Sequence, residues 1–217
     1  MALIYKSEIR PSKLELVQRW IPAQPWFAGD PDGLSAHAAF RFDDPEGEVG
    51  VESLLLRTAE GAVVQVPLTY RGAPLAGAEA HLVGEMEHSV LGRRWVYDGA
   101  GDPACLAAFA TAARTGGREA ELVVDGESER RRPTALVAGS GSGTGAVAAA
   151  ALASPAVSVE GRDSVAAAGG IRVVLHRYPA QATTSGGAAS TARPSDVITG
   201  TWDGQAAPAL LAEVSEA

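Results

Sequence analysis

The chain has 217 residues, 46% hydrophobic and 20% charged, a balance that supports a packed core in one large domain or two small ones. A formal charge of −8 and a pI near 5.0 exclude any general attraction to nucleic acid or anionic membranes. One cysteine, Cys105, excludes an intrachain disulfide and a cysteine metal cluster, and no apolar run approaches the roughly 20 residues of a membrane helix.

Ile4 to Arg10 alternates as a short strand. Pro11 opens a helix, in which Ser12 through Ile21 places Leu14, Val17 and Ile21 on one face, widened by Leu16 and Trp20. Pro22 and Pro25 end it. Strands are expected over 34–42, 51–57, 62–70, 81–88 and 93–98, separated by turn chemistry such as Asp43-Asp44-Pro45-Glu46-Gly47 and Glu60-Gly61. The helix must cover one face of this antiparallel meander, because a bare meander buries too little apolar area. The reading for residues 1–100 is therefore α+β, an N-terminal helix on an antiparallel sheet.

Residues 101–217 read as one helix plus a mainly β region. Asp102 is placed to cap the helix, Pro103 to occupy its first turn, 104–114 to form it, and Gly116-Gly117 to end it. Strands are expected at 121–124, 134–138, 156–160, 171–178, 198–202 and 209–214. The Gly/Ser-rich run near 139–146 and the Gly/Ala/Ser/Thr-rich run over 180–193 read as flexible loops. Ala146–Ala153 reads as helical or simply unstructured.

Gly139-Ser140-Gly141-Ser142-Gly143-Thr144-Gly145-Ala146 is the most tempting motif. Gly141, Gly143 and Ala146 satisfy a loose dinucleotide fingerprint, and Glu160 stands 19 residues past Gly141, near where a ribose-binding acid belongs. The context argues against it: no further helical crossover follows, and no lysine follows the glycines as a Walker loop requires. Gly139, Gly141 and Gly143 thus stand as a weak candidate phosphate loop. His81 and His88 flank Glu85 and Glu87, but a seven-residue offset on a strand puts the histidines on opposite faces, so no metal is expected. The Arg130-Arg131-Arg132 run before Pro133 reads as a solvated turn. Cys105 sits in an apolar stretch and reads as a buried, inert thiol. Both lysines, Lys6 and Lys13, precede residue 14, so the usual side-chain donor for nucleotide phosphates is missing from the remaining 204 residues. Trp20, Trp26, Phe27, Trp95 and Tyr97, four of them beside prolines or turns, either form a partner-docking or sugar-stacking patch or seal the core. Sixteen arginines against two lysines, with abundant Ala and Gly, suggest a bacterial, cytoplasmic protein.

Ile4 to Gly29, together with Leu91-Gly92-Arg93-Arg94-Trp95-Val96-Tyr97-Asp98-Gly99, resembles the N-terminal cap of bacterial maltokinases and related glucosamine kinases. The resemblance is strong over the first hundred residues and fades beyond them into a trace of the family's intermediate subdomain. It implies a cystatin-like cap, a helix on a curved antiparallel sheet, followed by a degenerate intermediate subdomain. It also implies a link to trehalose, maltose and α-glucan (glycogen) metabolism. The family's ATP-binding lysine has no counterpart in Ile171-Arg172-Val173-Val174-Leu175-His176-Arg177, and no helical kinase lobe is recognisable. Without that electrostatic assembly phosphoryl transfer is not expected. The expectation is a stand-alone, non-catalytic accessory protein with no cofactor, binding a protein partner, not nucleic acid or membrane. Trp20, Trp26, Phe27, Arg94, Trp95 and Tyr97 are its candidate partner or sugar contacts. The alternatives are a glucan- or nucleotide-binding module and a kinase component completed by a separate lobe.

Overall fold

The computed structural model of the chain describes residues 2–4, 8–44, 46–124, 130–131, 133–180, 195–205 and 207–217. The loop expected over 180–193 lies almost wholly outside them, as do residues 5–7 of the first expected strand and Arg132.

That first strand is two short ones, β1 (Ala2–Ile4) and β2 (Ile9–Arg10), in different sheets. Helix α1 (Lys13–Trp20) starts as expected, through a capping box. Ser12 Oγ accepts from the Glu15 amide at 3.2 Å while the Glu15 carboxylate accepts from the Ser12 amide at 2.8 Å. Ser12→Ala is expected to cost about 1 kcal/mol, read from the urea midpoint.

Strands β3 (Ser35–Phe42), β4 (Gly50–Arg57), β5 (Val63–Arg71), β6 (Leu82–His88) and β7 (Gly92–Asp98) join β2 in a six-stranded antiparallel sheet. Its order is β2-β6-β7-β5-β4-β3, not a simple meander: β7 lies between β5 and β6. Residues 72–81 carry the chain past one strand width, and the Leu75 amide on the Tyr97 hydroxyl pins that excursion at 2.8 Å.

The sheet is covered on both faces. Leu54, Leu56, Val64, Val66, Leu68, Met86 and Val96 close on Leu16, Val17, Ile21 and Trp26 from the α1 side. The approach is close enough that a Cβ on Gly84 would lie 2.7 Å from Leu16 Cδ2. The other face, with Phe40, Phe42, Val51 and Leu55, packs on α2 (Pro103–Thr115). Asp102 caps α2, and Gly116 ends it in the left-handed region at φ +68°, as the sequence predicts.

Strands β8 (Leu122–Val124) and β9 (Arg130–Arg131) form a small sheet with β1, which runs parallel to β8 and so ties the start of the chain to its second half. Strands β10 (Ala135–Gly139), β11 (Ala156–Glu160), β12 (Asp163–Ala168), β13 (Ile171–His176), β14 (Asp196–Trp202) and β15 (Ala209–Glu216) make a second six-stranded sheet, order β10-β14-β15-β13-β12-β11. β12 is the one strand of this sheet the sequence reading lacks. Val137, Val173, Leu175, Ile198 and Leu211 pack on α2 from the side opposite the first sheet, so α2 is enclosed between two sheets and a single core spans both halves of the chain. The architecture is α+β: a helix on a curled antiparallel sheet, joined by a second helix to a mostly β layer.

Candidate functional site

The Pro22 and Pro25 breaks after α1 turn the chain back so that Trp26 packs on Trp20, ring centroids 5.9 Å apart, and Phe27 meets Trp26 edge-on at 6.3 Å. Trp26 is 2% exposed. The guanidinium of Arg177, just past β13, lies over its ring at 4.4 Å. The next residue, Tyr178, uses its hydroxyl both to accept from the Ala28 amide and to donate to the Ala28 carbonyl, each at 3.1 Å. Residues 26–28 are therefore one of the places where the second half of the chain is fastened to the first. Trp26 as an outward contact is corrected by this burial, and so is Tyr97, which is 3% exposed and holds Leu75.

Trp20, Phe27, Arg94 and Trp95 keep partial exposure, but they do not form one patch: Trp20 and Phe27 both pack on Trp26, while Arg94 and Trp95 lie on β7. Val96 faces α1, so strand alternation sends Arg94 to that same face and Trp95 to the opposite one. There Trp95 lies under the Arg93 guanidinium at 5.9 Å.

The groups that sequence reasoning missed are buried and charged. Arg177 is wholly buried; Nη2 donates to both Asp98 oxygens at 2.8 and 2.6 Å, and Nε to Ser164 Oγ at 2.8 Å. Asp102, read only as a helix cap, does accept from the Ala104 amide at 2.9 Å, but it also takes Arg71 Nε at 2.7 Å, Arg71 Nη2 at 2.6 Å and the Thr69 hydroxyl at 2.6 Å. The hydrogen bonds to Asp102 raise the Arg71 pKa further. A turn of spacing DxxxD signals caps, and nothing local announces arginines 31 residues before and 79 residues after.

A third group lies on the α1 face. Glu52 is nearly buried and accepts from the Lys13 ammonium, from Arg41 Nε at 3.2 Å and from the Tyr70 hydroxyl at 2.8 Å. Burial alone would raise its pKa, but the positive charges of Lys13 and Arg41 and these hydrogen bonds lower it to about 2. A folded-state pKa below the unfolded value stabilises the fold above the unfolded value and ceases to do so as pH falls. Stability is thus expected to drop by on the order of 3 kcal/mol between about pH 5 and pH 2 through this group. Glu52→Gln is expected to flatten that part of the acid-denaturation profile.

The glycine run is not a phosphate cradle. The amides of Gly141 and Gly143 donate to the carbonyls of Ala113 and Arg114, and that of Gly139 to Gly117, each at 2.8 Å. These glycines cap the C-terminal end of α2, whose partial negative charge repels anions. A Cβ on Gly139 would stand 1.9 Å from the Ala112 carbonyl oxygen, and one on Gly141 2.1 Å from that of Arg114, which is why glycine is required here. The run expected as a flexible loop is held by backbone hydrogen bonds along its first half. Gly141→Ala is expected to cost about 1–3 kcal/mol, read by chemical denaturation.

Other candidates resolve into structural roles. His88 Nδ1 accepts from the Val90 and Leu91 amides and shapes the β6–β7 turn, while His81 packs against Gly101. His176 lies between Asp163 at 3.0 Å and Glu213 at 3.1 Å on opposite ring nitrogens, so the three do not converge on a point. Among the described residues no group of three His, Cys, Asp or Glu is placed to hold a metal ion. Burial, with Asp102 and Asp98 nearby, raises the Cys105 thiol pKa well above its usual value. An open cleft of about 320 Å³ beside α2 is lined by Phe42, Asp43, Thr111, Thr115, Arg118 and Glu119.

Residues 20–102 match the family model of the maltokinase N-terminal cap domain, a span from the last residue of α1 to the cap of α2 that contains β3 to β7. The chain therefore contains a maltokinase N-terminal cap-like domain. No curated protein matches the chain. Among the described residues no helix is long and apolar enough to cross a membrane.

Proposed function

We propose that the protein is a non-catalytic accessory module of trehalose, maltose and α-glucan metabolism, acting in the cytoplasm by docking a protein partner through its cap-like domain. The match of residues 20–102 to the maltokinase cap carries this reading. The disposition of cations and glycines supports it. Lys13 is engaged by Glu52, Arg177 by Asp98, and the glycine amides by α2 carbonyls, so groups that a nucleotide site would need are spent on packing. Two partly exposed aromatic patches remain for a partner, Trp20 with Phe27 and Trp95 with Arg93. Burial of such rings under a partner is the usual anchor of a protein interface.

The test is copurification from the native cytosol, followed by affinity measurement with the purified partner. An enzyme of α-glucan or trehalose metabolism is expected, with binding weakened at least about tenfold by Phe27→Ala or Trp95→Ala. Affinity indifferent to both substitutions removes the docking surfaces. Calorimetry with maltose, maltooligosaccharides and ATP separates the alternative: saturable heat from any of them favours a ligand-binding module.

A further inference from the structure

The two six-stranded sheets end in four outer strands, β3, β2, β10 and β11, and three of these edges are closed or cut short. On β3 the Thr134 hydroxyl accepts from the Ala39 amide at 2.8 Å and donates to the Ala39 carbonyl at 3.2 Å, while the Ala120 amide donates to the Arg41 carbonyl at 2.8 Å. On β10 the Val137 amide donates to Glu119 Oε2 at 2.7 Å and the Gly139 amide to the Gly117 carbonyl at 2.8 Å. β2 has two residues, and Pro11 stops it. The fourth edge, β11, is five residues long and pairs with β12 alone. Among the described residues no backbone hydrogen bond reaches its other side. Such an edge is a template for one more strand.

The β11–β12 turn shows which groups point outward. Glu160 and Asp163 are in register across the two-residue turn Gly161-Arg162, with Gly161 at φ +63°. The residues flanking such a turn exchange both ladder bonds, and bonded pairs then alternate along the strands. Ala156, Ser158 and Glu160 therefore bond to β12, and the N–H and C=O of Val157 and Val159 point away from it. Pro155, which has no N–H, and the turn at Gly161 confine pairing to these five residues. Val159 is 38% exposed, and Ala153, Ser154, Gly161 and Arg162 on either side are exposed too, so the approach to the edge is open.

We propose that β11 pairs antiparallel with β11 of a second copy of the chain, about a two-fold axis at Ser158, so that the two sheets continue into one. The strand is self-complementary in that register alone. Val157 of each copy meets Val159 of the other, and these two bonded pairs satisfy all four outward groups of each strand. Val157 packs on the core shared with α2, and Val159 lies on the same face of the strand, so the pairing also covers the exposed valine. On the opposite face Ser158 meets Ser158 and Ala156 meets Glu160, so no carboxylate faces another; Glu160 is held by Arg172 of its own copy at 2.9 Å. A slip of two residues sets Val159 against Val159 and carries Val157 past the strand onto Gly161. Two five-residue strands bury less than the roughly 800 Å² per partner of a stable interface, so the dimer exchanges with monomer. Each copy carries −8, so added salt favours it.

The experiment is sedimentation equilibrium of the full chain up to about 1 mM, at low and high chloride. The mean mass is expected to rise with concentration from 22.2 kDa toward twice that value, and to rise further with salt. Val159→Pro removes an outward N–H that the β12 ladder does not use, so the fold tolerates it while the dimer dissociation constant rises at least about tenfold. Ser158→Cys gives a register-specific readout. Across the axis its Cα atoms stand about 4.5 Å apart, within disulfide reach, whereas Ala156→Cys stands opposite Glu160. With oxidised glutathione as electron acceptor, Ser158→Cys is expected to form covalent dimer at least about ten times faster than Ala156→Cys; Cys105 is buried and does not compete. A mass fixed at that of the monomer throughout overturns the proposal. So does a dimer that Val159→Pro leaves intact, or crosslinking at equal rates from both positions. Should Val159→Pro fail to fold, the two cysteine variants decide.

Discussion

Arg177→Ala is expected to lower the unfolding free energy by about 3–5 kcal/mol, the largest loss from any single charge among the described residues. Arg177 has no solvent exposure, and its guanidinium holds Asp98 with two hydrogen bonds, Ser164 with one and the ring of Trp26 by stacking. Truncation leaves the carboxyl group of Asp98, 4% exposed, facing a void. The Coulomb gain of an intact pair nearly cancels its desolvation, so the pair itself adds little; an orphaned carboxylate keeps the desolvation and loses the gain. For a chain of this length the loss corresponds to a fall in melting temperature of roughly 6–20 °C. Arg177→Lys recovers part of it, because an ammonium cannot bridge both carboxylate oxygens and Ser164 together. Replacing both partners, Arg177→Met with Asp98→Leu, is expected to be much milder than Arg177→Ala alone. A single-variant loss under about 1 kcal/mol would mean that water reaches Asp98 and that the pair does not help to fasten the two halves.

That fastening marks the limit of what local sequence can say. Ser12 with Glu15, and Asp102 with Pro103 and Gly116, announce both helices because caps are chemistry within four residues of a helix end. Alternation finds β3 to β7 within a residue or two for the same reason. β12 escapes because Ser164-Val165-Ala166-Ala167-Ala168 has little strand propensity of its own. It is a strand because tight turns at Gly161 and at Gly169–Gly170, all with positive φ, fold it between β11 and β13. The second cover on the first sheet also escapes. In β5 Gln65, Pro67 and Thr69 look like a solvent face, yet all three are buried, with the Gln65 amide group reaching the Leu211 carbonyl of β15 at 3.0 Å. Trp26 is the instructive case. Its sequence surroundings fit an exposed anchor and a core ring equally, and the deciding neighbour, Arg177, lies about 150 residues away.

Phe109→Ala is the second substitution expected to cost about 3–5 kcal/mol, toward the upper end of that range. The ring is fully buried on α2, edge-on to Phe42 with centroids 5.2 Å apart and tilted against Phe40 at 6.2 Å, and Phe40 meets Phe42 at 5.4 Å. Each such ring contact adds about 0.5–1.5 kcal/mol beyond burial. The cost of a cavity depends on whether its walls can collapse, and here they resist. On its own helix Phe109 has Cys105 and Leu106 one turn before it and Ala112 and Ala113 one turn after, so of these four only Leu106 has a long side chain to swing into the space. The helix itself is held at one end by Asp102 and at the other by the glycine run, so it cannot translate toward the first sheet without breaking those bonds. Urea denaturation reads the loss directly; a cost below about 2 kcal/mol would show that α2 shifts and that the two sheets are less rigidly joined than the packing indicates. The vacancy opens only on the α2 face of the first sheet.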